Sequence, residues 1–152
     1  MRDYRGKRTD NGAWVKGAFS AKDCDTPFGE LVDRPSIIKY EEPCSGFWFR
    51  VDPETVGQCT GIMGDFVTGE PKAGDTILRS FIYEGDIVEA VLTDGIHQGF
   101  SWGRHVVVFD QGAFCLKNRR GEITPMCNYS VNVKFKVLGN IHDNPELMEV
   151  QA

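Results

Sequence analysis

The stretch Ile82-Tyr83-Glu84-Gly85-Asp86-Ile87-Val88-Glu89-Ala90-Val91-Leu92-Thr93 decides how the whole chain is read. Thr76 to Tyr83 is rich in β-formers, Glu84-Gly85 interrupts it, and Asp86 to Thr93 resumes an apolar run. The second piece admits two readings. Asp86 followed three places on by Glu89 has the form of a helical capping box, whereas Val88, Val91 and the turn dipeptide Asp94-Gly95 favour a strand. Local pattern leaves both standing.

Working outward, the flanking sequence is punctuated by turn signals, and long helical periodicity is absent. Asn11-Gly12 suits a tight turn, because a type I′ turn needs positive φ at both central residues; it leads into a strand over Ala13 to Phe19. Residues 20–35, polar and carrying Pro27, Gly29 and Pro35, read as loop. Ser36 to Tyr40 and Gly46 to Val51 are strands, and Phe47-Trp48-Phe49 must place aromatic rings on both faces of a sheet. Asp52-Pro53-Glu54 begins a helical turn that Gly57 stops, and the glycine-rich residues 61–76 read as an extended loop. Arg104 to Asp110 is a buried-strand run, turned by Gln111-Gly112 into Ala113 to Leu116. Val131, Val133, Phe135 and Val137 alternate with Asn132, Lys134 and Lys136, one face inward and one wet. Asn144-Pro145-Glu146 repeats the cap, proline and acid of a short helical turn. The residues predict a mainly β protein, with a small closed barrel as its architecture.

Composition narrows the function. In 152 residues, 41% are apolar and 26% charged, which suits a globular domain and excludes disordered and fibrous classes. No apolar run approaches the ~20 residues of a bilayer span, and the N-terminus has no signal-like apolar region, so a non-membrane, cytoplasmic protein is expected. The net charge is −5, and neither half is basic. Nucleic acid as a partner therefore has no support from net charge and would need a local cationic cluster. Arg2, Arg5, Lys7 and Arg8 form one; Lys117, Arg119 and Arg120, with Lys134 and Lys136, form another; both read first as solvated strand ends. Five cysteines at irregular gaps, with no CxxC, read as reduced thiols rather than a disulfide framework or zinc site.

Catalytic and cofactor motifs fail on inspection. Gly69 to Thr76 has phosphate-loop spacing, but Asp75 stands where lysine must, and its carboxylate would repel phosphate. The dinucleotide GxGxxG and the zinc HExxH are absent. His97, His105 and His142 lie too far apart in sequence to suggest a metal site, and Glu54, Glu84, Asp86 and Asp110 read as turn-capping or solvated carboxylates. No enzyme, cofactor or metal is expected. Trp14, Trp48, Trp102 and Tyr129 could stack on a ligand, although core is their ordinary role. Trp102, between Gly99 and Gly103, is the best placed. The candidate binding surface is therefore His97, Phe100, Trp102 and Arg104, flanked by Lys117, Arg119 and Arg120.

Five segments in order then resemble the YopX family, small proteins found mainly in bacteriophage genomes and prophages. They are Arg5-Gly6-Lys7-Arg8 with Asn11 to Gly17, Val51 to Gly61, Ile82 to Val88, and Val137 to Leu147. Residues 62–81 stand where the family commonly has a short turn, which implies a longer loop. The resemblance implies an all-β fold with residues 82–142 forming an SH3-like barrel, which makes Asp86 to Thr93 a strand. Residues 1–81 would be a β-rich N-terminal lobe with a long loop over 62–76, and 143–152 a short helical tail. It brings no catalytic set. The expected function is that of a phage or prophage accessory protein that binds a macromolecule, protein or nucleic acid, in the bacterial host. The alternative is a self-associating protein using Phe47-Trp48-Phe49 to form a homo-oligomer.

Overall fold

The structure, a computed structural model, describes residues 3–24, 31–41, 45–66, 78–93, 99–129 and 132–149. It is mainly β, and among the described residues the only helical pieces are 3-10 turns of three or four residues. Two compact units divide the chain inside one strand, Met1–Cys59 and Thr60–Ala152.

The first unit is an antiparallel sheet of β1 (Tyr4–Lys7), β2 (Trp14–Cys24), β3 (Leu31–Glu41) and β4 (Ser45–Arg50), with the start of β5 (Gly57–Phe66) on the free side of β1. Alternation sends Val15, Ile37 and Val51 into one small core with Tyr4, Phe49 and Val56 packed on it. Of the aromatic triplet, Phe49 lies on this side and Trp48 on the exposed opposite side, as period-2 geometry requires. The loop expected over residues 20–35 is a correction. Strands β2 and β3 continue through Cys24 and from Leu31, paired Lys22 with Asp33, Asp23 with Val32 and Cys24 with Leu31. A backbone ladder needs no apolar alternation, so a polar hairpin arm is silent in the sequence. Pro35 sits at the register shift, where its missing N–H costs nothing, and its carbonyl accepts from Val51 N at 3.0 Å. Asp52 caps the following turn, Pro53–Thr55, by accepting from Glu54 N at 3.1 Å.

In the second unit the strand order is β10 (Ile123–Pro125), β9 (Ala113–Lys117), β8 (Ser101–Asp110), β7 (Asp86–Leu92), β11 (Val133–Asn140) and β5, with β6 (Leu78–Tyr83) on β5. Asp86 to Leu92 is a strand because Asp86 spends its carboxylate on the turn behind it. Its Oδ2 accepts from Tyr83 N at 2.8 Å while Gly85 takes φ +88°, so that oxygen caps the turn behind it and not the start of a helix ahead. Strand β7 is buried on both faces at the sheet's centre, with Ile87 and Val88 both fully buried. The Gln111-Gly112 turn forms with φ 47° and 83°, the type I′ signature. Strand β11 alternates as read, Phe135 and Val137 inward and Lys134 outward. Residues 62–66, expected as loop, continue β5, and its glycine Gly64 lies against Val137 and Ile82, where no side chain would fit.

The closed barrel expected from the short strands is also corrected: the sheet is open. Its core joins Ile82 of β6 to Met126 beyond β10 around Val88, Ala90, Val107, Leu116, Phe135 and Val137, so the sheet curls without closing. The cause lies at one edge. Strand β10 has three residues and ends in Pro125, which has no N–H to donate, and the chain turns at once into a 3-10 turn, Met126–Asn128. Asn144 differs from its expected role as well: it does not cap the Pro145–Met148 turn, and its Oδ1 accepts from Asn140 N at 3.4 Å.

Among the described residues, Cys59, Cys115 and Cys127 are reduced, none of them in a disulfide. Burial pushes the Cys115 thiol up, and the negative charge of Asp110 adds to this. Its folded pKa being the higher one, the folded chain keeps a proton that the unfolded chain loses, so its contribution to stability falls as pH rises past the ordinary thiol pKa of ~8.5. Alkylation of the native protein with iodoacetamide at pH 8, read by peptide mass spectrometry, is expected to label exposed Cys127 rapidly and Cys115 only on unfolding.

Candidate functional site

The site lies where β8 begins. Glu89 faces Arg104 and Val91 faces Ser101, so Trp102 and Gly103 together oppose one residue of β7. This β-bulge is permitted by Gly103 at φ +82°. Without it, Trp102 and Arg104 would share a face. With it, Arg104 lies beside Glu89 while the Trp102 ring turns to Tyr129, edge-on at 5.8 Å. The bulge is tied locally: Gly103 N donates to Ser101 Oγ at 3.0 Å, and His105 Nδ1 lies 3.0 Å from Gly103 O.

From this point an aromatic ladder descends from solvent to core. Phe100, 54% exposed, packs edge-on against Trp102 at 5.0 Å; Tyr129 follows, and it packs on buried Phe135 at 5.7 Å. Burial raises the Tyr129 phenol above its ordinary range. Leu92, Val133 and Thr124 join Trp102 and Tyr129 around an open apolar cleft of about 440 Å³.

On the other side of Trp102 is a polar groove of about 600 Å³, lined by Arg104, Arg119 and Arg120 with Glu89, Asn118 and Glu122. The β9–β10 turn presents two of these arginines, and Asn118 builds that turn. Its Oδ1 accepts from Arg120 N and Glu122 N, both at 2.9 Å, and its Nδ2 donates to Glu122 Oε2 at 2.6 Å. The C-terminal tail closes one side. Arg104 Nη1 and Arg119 Nη2 both donate to the Leu147 carbonyl, at 3.2 and 3.0 Å.

Of the surface expected from the sequence, Trp102, Arg104, Arg119 and Arg120 come together. Lys117, exposed and paired with Val106, lines neither cavity. His97 lies outside the described residues. Glu89, Asn118, Glu122 and the Leu147 carbonyl were not singled out as site groups. Only Asn118, three residues before Gly121 at φ +85°, carried a turn signal that could have found it. Three guanidiniums beside two carboxylates recognise mixed charge, and the apolar cleft recognises a ring or branched chain; the pair supplies no nucleophile with its base. Among the described residues, no group of three histidine, cysteine or acidic side chains could hold a metal ion, and no helix is long and apolar enough to cross a membrane.

Comparison with known proteins agrees with the sequence resemblance. Residues 78–149, which contain the whole site, match the family described as YopX protein. The crystal structure of protein yopX from Bacillus subtilis is similar at TM-score 0.47 and 18% identity, covering 100% of both chains. No curated protein matches the chain.

Proposed function

From the premise that residues 78–149 are a YopX-family segment, we propose that this protein is a non-enzymatic binding module, and that the mouth of its curled, SH3-like sheet takes a short peptide segment of a partner protein. One observation carries the reading. Trp102 is the common wall of an apolar cleft and an arginine-lined groove, so a single extended segment could seat an apolar anchor in one and an acidic group in the other. The phage and prophage setting of the family that the chain resembles supports a partner in the cytoplasm of a bacterial host.

Selection of a random peptide display library on the full chain tests this. Enriched peptides should pair an aromatic or aliphatic residue with a nearby Asp or Glu. Trp102→Ala should weaken an enriched peptide at least tenfold by anisotropy, and Arg120→Glu several-fold. Failure to enrich any sequence, or binding indifferent to Trp102→Ala, would refute the proposal. A second reading, self-association, is favoured by Trp48, 42% exposed on the outermost strand β4 of the first unit. It requires a mass that rises with concentration in light scattering.

A further inference from the structure

The C-terminal end of the chain is held in two unlike ways. Its root is fixed. Ile141 N donates to Gly85 O at 2.9 Å and Asn144 N to Asn140 O at 2.8 Å, and the Asn144 side chain lies where a β-carbon on Gly139 would stand. Beyond Asn144 the hold is light. The 3-10 turn Pro145–Met148 has no buried side chain, and its own bonds, Leu147 N to Asn144 O and Glu149 N to Glu146 O, run within the segment. Among the described residues, one atom bonds it to the sheet. The Leu147 carbonyl oxygen accepts from Arg104 Nη1 at 3.2 Å and from Arg119 Nη2 at 3.0 Å. That oxygen is neutral, and a carboxylate or phosphoryl oxygen in its place would make charge-assisted bonds about twice as strong. Glu89 and Glu122 line the same groove and offset part of its charge, yet three arginines against two carboxylates leave it positive, and Glu122 is tied to Asn118. The turn has the chemistry of the segment proposed above as the ligand, since Pro145-Glu146-Leu147-Met148-Glu149 sets two aliphatic side chains between two acids. Neither Leu147 nor Met148 lines the apolar cleft beyond Trp102, however. The turn thus occupies half of the mouth, with weaker bonds than a partner would make.

We infer that residues 145–149 are a strap, a built-in competitor that covers Arg104 and Arg119 in the free protein and swings away beyond Asn144 when an oxyanion takes both guanidiniums. The inference rests on the reading that the groove holds an acidic group, and adds what must leave before that group enters. Attachment to the chain gives the strap an effective concentration of order millimolar, so an oxyanion with no further contacts competes only in that range. A segment that also fills the apolar cleft displaces the strap at lower concentration. The strap therefore acts as a threshold, holding off isolated acidic groups and admitting those that carry an apolar anchor.

The test is nuclear magnetic resonance of the isotope-labelled full chain titrated with inorganic phosphate at constant ionic strength, since one phosphate can bridge both guanidiniums. As phosphate rises through roughly the millimolar range, the Arg104 and Arg119 Nε–H signals should shift. With the same midpoint, the heteronuclear NOEs of residues 146–149 should fall, while those of Ile141 and Asn144 stay high. Arg104→Gln combined with Arg119→Gln should free residues 146–149 with no phosphate added. Two further variants open the strap and keep both arginines. A chain ending at Asn144 lacks it, and Leu147→Pro keeps its length but removes the N–H that closes the turn on Asn144 O. Each should bind phosphate roughly three- to tenfold more tightly than the full chain, and either one that keeps the full chain's circular dichroism suffices. A strap that stays rigid at saturating phosphate or in the double arginine variant, equal phosphate affinity with the strap shut or open, or no phosphate binding by any of these chains would each overturn the inference. Phosphate binding beneath a rigid strap overturns the strap alone, whereas failed peptide selection alongside phosphate-driven release refutes the peptide partner alone.

Discussion

Gly17→Ala should unfold the first unit at a temperature roughly 10 °C lower, from a loss of about 3 kcal/mol. The reason is geometric. Gly17 sits on β2 beside the Ala18–Ile38 pairing, and a β-carbon there would overlap the Ile38 carbonyl oxygen and press on the Ile37 side chain. A neighbouring side chain could rotate away, but a carbonyl of the ladder cannot move without breaking the pairing between β2 and β3. That pairing also positions Ile37, the fully buried centre of this unit's small core. A loss of this size is a large share of the ~5–15 kcal/mol that holds a domain together. Gly12→Ala is the control, because nothing lies within 4 Å of its β-carbon and only its φ of +70° opposes the change. Thermal melts followed by circular dichroism should rank Gly17→Ala well below Gly12→Ala. Equal melting temperatures would refute the close approach.

Asp86→Ala is expected to destabilise the second unit by about 1–3 kcal/mol, the cost of leaving the Tyr83 N–H buried without its acceptor. Asp86 is 1% exposed and Tyr83 4%, so water cannot replace the lost oxygen. The bond also holds the turn from which both central elements depart. Gly85 N donates to Val107 O at 2.8 Å, and Gly85 O accepts from Ile141 N at 2.9 Å, so one dipeptide binds β8 and the approach to the C-terminal turn. Asp86→Asn keeps an acceptor oxygen and should recover part of the loss; urea denaturation of the two variants measures the difference. If alanine and asparagine are equally stable, the bond to Tyr83 contributes nothing.

How far the sequence could be read depends on what kind of signal each feature leaves. Tight turns leave strong ones, because positive φ restricts the residue: Glu84-Gly85 and Gln111-Gly112 were legible, whereas at Asn11-Gly12 only Gly12 takes positive φ, so the type I′ turn expected there is not formed. Alternation marked β11, where one face is wet. It could not mark β7, buried on both sides, whose Asp86 and Glu89 mimic a helix start; only the resemblance to YopX proteins made it a strand. It also missed the far arms of β2 and β3, which are held by main-chain ladders that any residue can make. The open edge at Pro125 was misread as part of a closed cylinder, because the count of short strands does not say whether the last one finds a partner. In the site, Trp102, Arg104, Arg119 and Arg120 could be named because they sit beside glycine-marked turns. The bulge that turns Trp102 away from Arg104 adds one residue to a register, and Lys117 drops out of the site although it lies two positions from Arg119 in sequence.

The clasp formed by Arg104 and Arg119 closes on a main-chain oxygen, and that oxygen is the same whichever amino acid occupies position 147. The information for anchoring the tail is therefore written at one end only. Changes at position 147 can pass without breaking those two bonds, whereas changes at 104 or 119 cannot, so divergent relatives could keep the same closure while their tails look unrelated.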